Sequence, residues 1–540
     1  MFNWRWSGFM AQIELNEQFK RALDLMENTK KSVFVTGKAG TGKSTLLELF
    51  CNQTKKSVIV LAPTGVAAVN IRGETIHSFF KFKPEVTPKE AQKIAREAKR
   101  KRKELFRKLE AIVIDEISMV RADLLDCIDL FLKTIYQNKL PFGRLQMIFF
   151  GDLYQLPPVL MGKEKEIFRS EYKSAYFFDA KAMRDFQMEL IELEKVYRQK
   201  DQKFIEILNR IRNNTIGEEE LEIINQRVRE GIDPSKIEDD YVYLTTINKL
   251  AEKINKINLE RLPSKKYILE GEIEGEFDQR YLPTELNLEV KKGAQIMLLN
   301  NDSKGRWING TMGKILDLKN DKIKMRLQNG SSVWVSSFRW EILETYFDKE
   351  KKNLAKRVLG AFLQYPIKLA WAITVHKSQG KTFDKVIIDL SGGVFSCGQV
   401  YVALSRCTSL NGIILKREIK KRSIFTDWKI VKFLTNYQYN LSERICSKEE
   451  KLKIIQEAIR KRKKLKIVYL KSKDEKSERI ILPQKIGQME YCGRKYLGIQ
   501  AHCFLRNEMR IFRLERILEI NPAPFNGILD PAKRWGIKES

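Results

Sequence analysis

The 540-residue sequence is poor in the residues that build metal and disulfide sites. It has three histidines, far apart in sequence, and seven cysteines, none of which form a CxxC pair. This pattern argues against a zinc site and a disulfide framework, and it fits a reducing compartment. Apolar runs such as Leu369–Val375 are far shorter than the roughly 20 residues that cross a bilayer. With no secretory signal in view, we expect a cytoplasmic chain without a membrane partner.

Acidic residues are outnumbered by basic ones. Lysine and arginine number 99 against 69 aspartates and glutamates, which gives a net charge of +30. Such an excess points to a polyanionic partner, most often nucleic acid. The alternative is the lysine-rich surface of a thermophile, but that surface usually comes balanced by glutamate. The length predicts roughly three to five domains.

Short β-branched runs punctuate the first two-thirds of the chain and alternate with amphipathic helical stretches. The runs are Val33–Thr36, Val58–Ala62, Ile112–Asp115, Met147–Gly151, Val242–Thr245 and Val386–Leu390. This alternation predicts an α/β fold with buried parallel strands. Ligands of such sheets sit beyond the carboxyl ends of the strands, and conspicuous polar residues occur at those positions here.

Three segments depart from this alternation. Lys81–Glu110 has no strand signal, whereas Gln295–Ser337 has short strands separated by the turn dipeptides Asn320-Asp321 and Asn329-Gly330, which predicts a small antiparallel insert. From about Cys446 a helical stretch precedes five short strands, which predicts a compact module. Residues 521–540 are proline- and glycine-rich and predict a tail.

A phosphate-binding pattern stands between the first strand and a helix. Residues 37–44 read GKAGTGKS and match GxxxxGK[ST] in the required context. The glycines let the backbone wrap phosphate oxygens, Lys43 reaches the β- and γ-phosphates, and Ser44 ligates Mg²⁺. The predicted ATP-binding residues of this loop are Gly37, Gly40, Thr41, Gly42, Lys43, Ser44 and Thr45.

Further candidates for catalysis follow other strands. Asp115 fits a metal-side carboxylate, so it joins Ser44 as a predicted Mg²⁺ ligand, and Glu116 fits the base that positions water. Gln155 is a candidate sensor of the γ-phosphate, or else part of a solvated turn. Arg198 and Arg406 are candidate arginine fingers, or else members of surface ion pairs.

Taken in order, these strings resemble superfamily-one helicases, and within them the Pif (petite integration frequency) family, over roughly residues 15–435. The resemblance rests on the strings LNEQ, APTGVAA, GETIHSFF, DEISMV, GDLYQLPPV, YRQ, WAITVHKSQGK and QVYVALSRCT. It implies that Gln18 recognises adenine, and it adds Gly380 and Lys381 to the nucleotide-binding residues.

The resemblance also implies an architecture of two RecA-like lobes that sandwich ATP and step along DNA. We expect the first lobe at 10–80 and 111–190, a helical wedge at 81–110, the second lobe at 191–262 and 365–440, and a small β-barrel-like insert at 263–364. Implied partners are single-stranded DNA and forked or structured DNA, with 5′-to-3′ movement. The family is associated with repair, recombination and telomere maintenance, and we expect a nucleoid-associated monomer or DNA-induced oligomer.

Candidate DNA contacts lie at strand ends and loops on both lobes. They are Pro63, Thr64, Gly65, His77, Ser78, Phe79, Thr246, Asn248, His376, Lys377 and Ser378. The two histidines can instead be buried loop residues, and Phe79 and Phe80 can instead be core. The basic run Lys99–Lys103 can hold duplex or fork DNA, or it can be a solvated helix face.

The C-terminal module, residues 447–540, resembles a WYL domain, a small Sm-like barrel. Its string is Lys495-Tyr496-Leu497, and Arg510–Ile517 reads RIFRLERI. The resemblance suggests Tyr496, Arg510 and Arg516 as ligand contacts, with His502 as a further candidate. The module carries 23 basic and 12 acidic residues, which favours single-stranded DNA over a charged small ligand. A third possibility is a docking module that only holds the lobes.

We therefore expect an ATP-dependent 5′-to-3′ DNA helicase whose WYL module binds single-stranded DNA or regulates the motor. Two alternatives stay open from sequence. One is a RecD-like or RNA-preferring helicase, since single strands are gripped mainly through phosphates. The other is a nucleotide-gated sensor or switch that does not unwind.

Overall fold

The computed structural model describes residues 15–522, except 84, 159, 161–167, 169, 235–239, 280–281, 320, 472–474 and 492. Val159 of the GDLYQLPPV string, Asn320 of the first turn, Cys492 and the predicted tail beyond Pro522 lie outside the described residues. The chain divides after Thr426 into two compact units. No helix in the described part of the chain is long and apolar enough to span a membrane.

The first unit begins with a six-stranded parallel sheet in the order β3-β2-β4-β5-β1-β6. Its strands are β1 (Ser32–Gly37), β2 (Val58–Ala62), β3 (Glu74–Thr75), β4 (Ala111–Ile114), β5 (Gln146–Phe150) and β6 (Met188–Leu193). Because β1, β4 and β5 are buried along their whole length, they read as continuous apolar runs in the sequence. The predicted parallel α/β core is confirmed.

Seven α-helices whose bounds lie within the described residues accompany this sheet. They are α1 (Glu17–Asn28), α2 (Lys43–Gln53), α3 (Gly65–Asn70), α4 (Ile76–Phe80), α5 (Pro88–Lys101), α6 (Lys103–Lys108) and α7 (Ala122–Tyr136). Helix α5 begins at a capping box of Thr87 and Glu90, and its buried alanines pack against α7. The segment predicted to lack strands is helical in its described part.

A second, four-stranded parallel sheet has the order β18-β7-β19-β20. Its strands are β7 (Val242–Thr245), β18 (Ala372–Thr374), β19 (Val386–Asp389) and β20 (Ile413–Leu415). The neighbouring helices are α8 (Gln202–Arg212), α9 (Glu218–Asn225), α10 (Asn248–Arg261) and α11 (Gln399–Leu404). Two parallel sheets in one unit agree with the expected pair of lobes.

The chain between β7 and β18 forms antiparallel sheets. One has the order β14-β13-β12-β11-β17, a second has the order β15-β16-β9, and β10 pairs with β8. The strands are β8 (Lys266–Glu270), β9 (Glu272–Gly275), β10 (Asn287–Lys291), β11 (Gln295–Leu298), β12 (Met312–Lys319), β13 (Lys322–Leu327), β14 (Ser332–Val335), β15 (Phe338–Asp348), β16 (Asn353–Gln364) and β17 (Ile367–Leu369). The predicted antiparallel insert is present. Strands β15 and β16 make a long hairpin within it.

The second unit combines two helices with one antiparallel sheet in the order β24-β23-β22-β21-β25. Its elements are α12 (Trp428–Ile445), α13 (Lys448–Arg460), β21 (Leu465–Leu470), β22 (Lys476–Tyr491), β23 (Arg494–Cys503), β24 (Glu508–Arg513) and β25 (Ile517–Pro522). No ladder joins the edge strands β24 and β25 within the described residues, so closure into a barrel stays a prediction.

The boundary between the units differs from the expected one. We assigned residues up to 440 to the second lobe, whereas the structure groups the chain from Asp427 onward with the C-terminal module. The reason is packing of α12 on β25, where the Ser442 hydroxyl donates to the carbonyls of Ile517 and Leu518. Strand β25 also includes Asn521 and Pro522, which we expected to begin the tail.

Candidate nucleotide and nucleic-acid site

The phosphate-binding loop connects β1 to α2. Gly40 and Gly42 have φ of 77° and 86°, a left-handed conformation that favours glycine, and Gly42 caps α2. A side chain at Gly40 would place its Cβ 2.5 Å from Cβ of Arg198. The loop therefore has glycine where its backbone turns and where the second lobe approaches.

Lys43 lies at the start of α2 with its ammonium turned back into the loop. Its Nζ donates to the carbonyls of Gly37 and Lys38 at 2.7 and 3.0 Å. Burial lowers its pKa, and the nearby carboxylates of Asp152 and Glu116 oppose that change. Thr41 is buried and donates to Lys38 O, while Ser44 is exposed and Thr45 is half-buried on the first turn of α2.

Asp115 and Glu116 follow β4 as a half-buried acid pair. Burial raises the pKa of Asp115 to about 6, and burial together with Asp115 raises that of Glu116 to about 7. The charge of Lys43 acts in the opposite direction on both. A divalent cation would reduce the repulsion between two neighbouring carboxylates. The pair therefore suits Mg²⁺, which prefers a few carboxylate and hydroxyl oxygens together with phosphate oxygens.

Gln155 lies in the loop after β5, inside a buried polar network. Its Nε2 donates to Asp152 at 3.3 Å, and Gln379 of the second lobe donates to its Oε1 at 3.5 Å. Asp152 in turn pairs with Arg212 of α8 at 3.3 Å, with both side chains almost fully buried. Gln155 is buried here and is not part of a solvated turn.

Of the two candidate arginine fingers, Arg406 is buried and Arg198 is half-buried, and they lie near Glu116 and Gly40 of the first lobe. Arg198 donates to Ser405 O at 3.1 Å, and burial lowers its pKa to about 10. Arg406 is 1% exposed, and its donors reach the carbonyls of Val402, Ser378 and Lys381. Burial, followed by the proximity of Arg198, lowers the pKa of Arg406 to about 9. Neither arginine makes a surface ion pair, the alternative interpretation, with any of the residues that the structure describes.

Sequence reasoning missed three residues that join the lobes at this cleft. Asp152 stood inside the quoted GDLYQLPPV string, but nothing in the sequence marked its partner Arg212. The hydroxyl of Tyr401, in α11, accepts a hydrogen bond from Ala39 N of the phosphate loop at 2.8 Å. Tyr401 belongs to the QVYVALSRCT string, but its apolar neighbours are typical of a core segment and give no sign of its contact with the phosphate loop.

Two other predicted nucleotide contacts have partners within the protein. The Gln18 side chain accepts from Glu194 N at 3.0 Å, just beyond β6. The ammonium of Lys381 donates to Asn309 Oδ1 of the insert at 2.8 Å, and burial followed by Lys368 lowers its pKa to about 7. The Lys381 side chain thus points to the insert, while its carbonyl accepts from Arg406. The neighbouring Gly380 is exposed.

A cavity of about 940 Å³ lies between the first lobe and the insert. Its first-lobe wall includes four predicted DNA contacts, Pro63, Gly65, His77 and Ser78. Its remaining lining residues include Arg121, Asp123, Phe277, Glu341 and Ile342. Burial, followed by the charge of Arg121, lowers the pKa of His77, which favours its neutral form. The cavity has polar and apolar walls.

Two predicted DNA contacts are fully buried in this structure. Phe79 is fully buried and packs edge-on against Phe80 and Phe106, with the Arg102 guanidinium over its ring. The Phe79 ring is therefore part of the aromatic cluster that forms the core here. Ser378 is also fully buried, and its hydroxyl donates to Val375 O.

Of the other predicted contacts on the lobes, all but Thr246 are half-buried or exposed. Thr64 accepts from Ala67 N at 3.2 Å, while Asn248 and Lys377 are exposed. The His376 ring is half-buried and lies parallel to Phe395, with ring centroids 6.2 Å apart. Thr246 is buried, and its hydroxyl has no hydrogen-bond partner within the described residues.

The basic run of the wedge is divided between solvent and core. Arg100, Lys101 and Lys103 are exposed, whereas Arg102 turns inward and donates to Phe79 O at 2.7 Å. Part of the run is thus a structural element of the wedge, and the rest is available to a polyanion.

The candidate residues of the second unit lie on its sheet and its last helical turn. The Arg513 guanidinium lies 4.2 Å from the ring centre of Tyr496, and exposed Arg510 donates to Glu508 at 2.7 Å. The side chain of Arg516 hydrogen-bonds to Tyr439 of α12. His502 is half-buried against Phe504.

Comparison with known proteins gives two family matches and a consistent set of relatives. Residues 13–222 match the PIF1-like helicase family, and residues 450–522 match the WYL domain. The "ATP-dependent DNA helicase Pif1" of Bdellovibrio bacteriovorus is 32% identical over 441 residues, which cover 79% of this chain and 93% of that protein. A human "ATP-dependent DNA helicase PIF1" is 34% identical over 71% of this chain and 58% of its own length.

Solved structures of a Bacteroides Pif1 resemble the chain over the same region. The complex with ADP-AlF4 has a TM-score of 0.72 at 36% identity and covers 79% of this chain and 98% of that chain. The same protein bound to single-stranded DNA has a TM-score of 0.56 at 35% identity, with the same coverage. The chain is therefore more similar in shape to the nucleotide complex than to the DNA complex.

Proposed function

The chain belongs to the PIF1-like family of ATP-dependent DNA helicases and carries a WYL domain, and on that premise we propose that it moves 5′ to 3′ along single-stranded DNA and unwinds duplex or structured DNA. The observation that carries the proposal is the meeting of two lobes around one phosphate loop. Arg198 touches Gly40, Tyr401 bonds Ala39, and Arg406 lies close enough to Glu116 for their charges to interact. A cleft built this way changes shape when the nucleotide between its walls changes.

Within this cleft each residue has a task that its position supports. Lys43 leaves the loop carbonyls to neutralise the β- and γ-phosphates, and Arg198 and Arg406 reach the γ-phosphate from the second lobe. Glu116, whose pKa is raised to about 7, takes the proton of the attacking water, and Gln155 orients that water. Ser44 and Asp115 would hold Mg²⁺, which would neutralise part of the phosphate charge. Gln18 retains its Nε2 donor for the adenine ring.

The strand would run through the cavity between the first lobe and the insert. A single strand is held by phosphate contacts and base stacking, and the cavity is lined by Gly65, by His77 and by Arg121, whose guanidinium pairs with Asp123 at 2.7 Å. Thr246, His376 and Lys377 are the proposed contacts on the second lobe. The unpartnered hydroxyl of Thr246 supports this assignment, because a buried donor without a partner is rare.

The long hairpin of the insert is clasped to the first lobe beside this cavity. Glu74 of β3 accepts from the backbone N and the hydroxyl of Thr345 at 2.9 and 2.6 Å, although the two residues are 271 positions apart. Lys81 pairs with Glu344 at 3.1 Å, and Lys356 donates to Arg72 O at 3.0 Å. We propose that this clasp belongs to the DNA-free state and opens when a strand enters, in keeping with the closer match to the nucleotide complex.

Replacing Thr345 by valine should loosen the clasp without changing its shape. The variant removes the hydroxyl hydrogen bond to Glu74, and a bond to a charged group contributes about 1.5–3 kcal/mol. Amide hydrogens of residues 343–357 should therefore exchange roughly 10- to 150-fold faster in the DNA-free protein. Ser337→Ala, at an exposed position beside the same hairpin, is the matched control and should leave exchange unchanged. Unchanged exchange in Thr345→Val would show that the clasp contributes nothing.

The WYL domain is proposed to bind single-stranded DNA or to regulate the motor. The stacked pair of Tyr496 and Arg513 and the exposed Arg510 support a nucleic-acid ligand. Deleting the unit from Asp427 onward separates the two roles. If the deletion lowers DNA affinity and leaves ATP turnover intact, the domain binds DNA. If the deletion increases ATP turnover, the domain inhibits the motor.

Polarity and nucleic-acid class have one direct test. Duplexes with a 5′ or a 3′ single-stranded tail, made of DNA or RNA, are incubated with ATP, and strand separation is followed by fluorescence. We expect separation only when the tail is 5′ and is DNA. Separation from the 3′ tail would discard the direction, and separation with an RNA tail alone would favour the RNA-preferring alternative.

A further inference from the structure

The outer face of strands β12, β13 and β14 in the insert is rich in basic residues. Strands β12, β13 and β14 pair in antiparallel register, with Lys314 opposite Arg326, Lys319 opposite Lys322, and Lys324 opposite Trp334. Because alternate residues of a strand share a face, these side chains lie together on the outer side of the sheet. The residues between them are buried: Ile315, Ile323, Met325, Leu327, Val333 and Val335.

This outer face carries more basic than acidic side chains. It carries five basic residues (Lys314, Lys319, Lys322, Lys324 and Arg326), and its one acid is Asp317. Asp317 is already paired with Lys292 and Lys319, whose hydrogen bonds lower its pKa to about 2. Lys322, Lys324 and Arg326 make no ion pair with any carboxylate of the described chain.

The same face exposes a large aromatic ring. Trp334 is 42% exposed, although a tryptophan in a small sheet is usually covered. The Lys324 ammonium lies 5.8 Å from the Trp334 ring centre and flanks it on the neighbouring strand. The buried side of the sheet packs with Tyr243, Trp371 and Ile387 of the second lobe, so the outer face points away from that core. None of its residues line the cavity beside the clasp.

We propose that this face, formed by Lys314, Lys319, Lys322, Lys324, Arg326 and Trp334, is a second binding surface for single-stranded nucleic acid. The cations pair with successive phosphates, and the Trp334 ring stacks on a base. An aromatic ring set among cations on a sheet suits a single strand, whose bases are free to stack, better than a duplex, whose bases are covered. An acidic protein would satisfy the charges but would leave the exposed ring unexplained. This proposal depends on one part of the proposed function, which is that the protein binds single-stranded nucleic acid.

The test uses the full-length protein without nucleotide, with fluorescent oligothymidylates of 8 and 30 nucleotides. The short strand can fill the cavity between the first lobe and the insert, and only the long strand can reach both surfaces. Trp334→Ala should weaken binding of the long strand about 5- to 150-fold, the range for loss of one stacked base, and leave the short strand unchanged. The triple variant Lys322→Glu, Lys324→Glu and Arg326→Glu should also lower the slope of log affinity against log salt by about 2.

A charge-matched control is available in the same unit. Lys420, Lys421 and Arg422 are exposed and have the same residue types, so reversing them changes the net charge equally. Equal losses in this control, or unchanged long-strand binding in Trp334→Ala, would overturn the proposal. If only the triple variant loses affinity, the surface binds phosphates without stacking on a base. That outcome would contradict the single-strand proposal and favour a duplex backbone as the ligand. Unwinding of a 5′-tailed duplex by the wild type, measured in parallel, tests the proposed function separately.

Discussion

Replacing Lys43 by alanine should reduce ATP hydrolysis by at least about 10²–10³-fold, the loss that follows removal of one charge-stabilising donor from a transition state. Lys43 is the cation that the acid pair and the phosphate loop share, since Asp115 and Glu116 both interact with its charge. Its removal leaves the developing charge on the β–γ bridge without a partner from the first lobe. Steady-state phosphate release at saturating single-stranded DNA measures the effect.

The control for this variant is the neighbouring lysine. Lys38 lies in the same loop, but its strongest interactions are with Arg212, Glu192 and Glu194 and not with the acid pair. Lys38→Ala should therefore lose much less activity than Lys43→Ala. DNA binding by Lys43→Ala should remain close to wild type, because the cavity does not include Lys43. Wild-type turnover in Lys43→Ala would refute the assigned site.

Replacing Arg406 by alanine should lower kcat about 10³–10⁵-fold, the usual contribution of an arginine finger. In the structure this guanidinium is occupied by the carbonyls of Val402, Ser378 and Lys381. When the guanidinium binds the γ-phosphate, it must release the carbonyls of Ser378 and Lys381. Arg406 therefore couples nucleotide binding to the segment that carries His376 and Lys377. Single-turnover hydrolysis with and without DNA should show the loss in both conditions.

Arg406 is fully buried, so its variant needs a test of folding. Arg406→Lys keeps the charge and most of the side-chain volume. An ammonium cannot donate several hydrogen bonds in the planar geometry of the guanidinium, so the variant cannot make all of its carbonyl contacts. Both variants should bind nucleotide with near wild-type affinity and unfold within a few degrees of the wild type, while both lose turnover. Full turnover in Arg406→Lys would show that charge alone suffices and that the contacts to the segment are not part of catalysis.

The parts of the site that sequence could predict are those fixed by local chemistry. The phosphate loop needs glycines at particular turns, and the acid pair needs a buried strand before it, so both are readable from short strings. The buried strands were predictable for the same reason, because parallel strands covered on both faces are continuous apolar runs. The insert hairpins followed from their turn residues, such as Asn329-Gly330.

The parts that sequence could not predict depend on distant packing. Phe79 was expected at the DNA surface, but the tertiary cluster with Phe80 and Phe106 buries it. The Glu74–Thr345 clasp joins residues that no local pattern relates. The same holds for the Asp152–Arg212 pair, in which an ordinary helix arginine becomes part of the interlobe cleft. Helix α12 belongs with the C-terminal unit for a similar reason, since its partner β25 comes more than 70 residues later.

The central claim is that ATP turnover in the interlobe cleft drives strand separation. The most direct measurement follows phosphate release and duplex opening in one reaction, on a duplex with a single-stranded 5′ DNA tail, for the wild type and Lys43→Ala. We predict that the wild type opens the duplex only while ATP is consumed and that Lys43→Ala does neither. ATP consumption stimulated by DNA without any opening of the duplex would contradict the account and identify the chain as a nucleotide-gated sensor or switch.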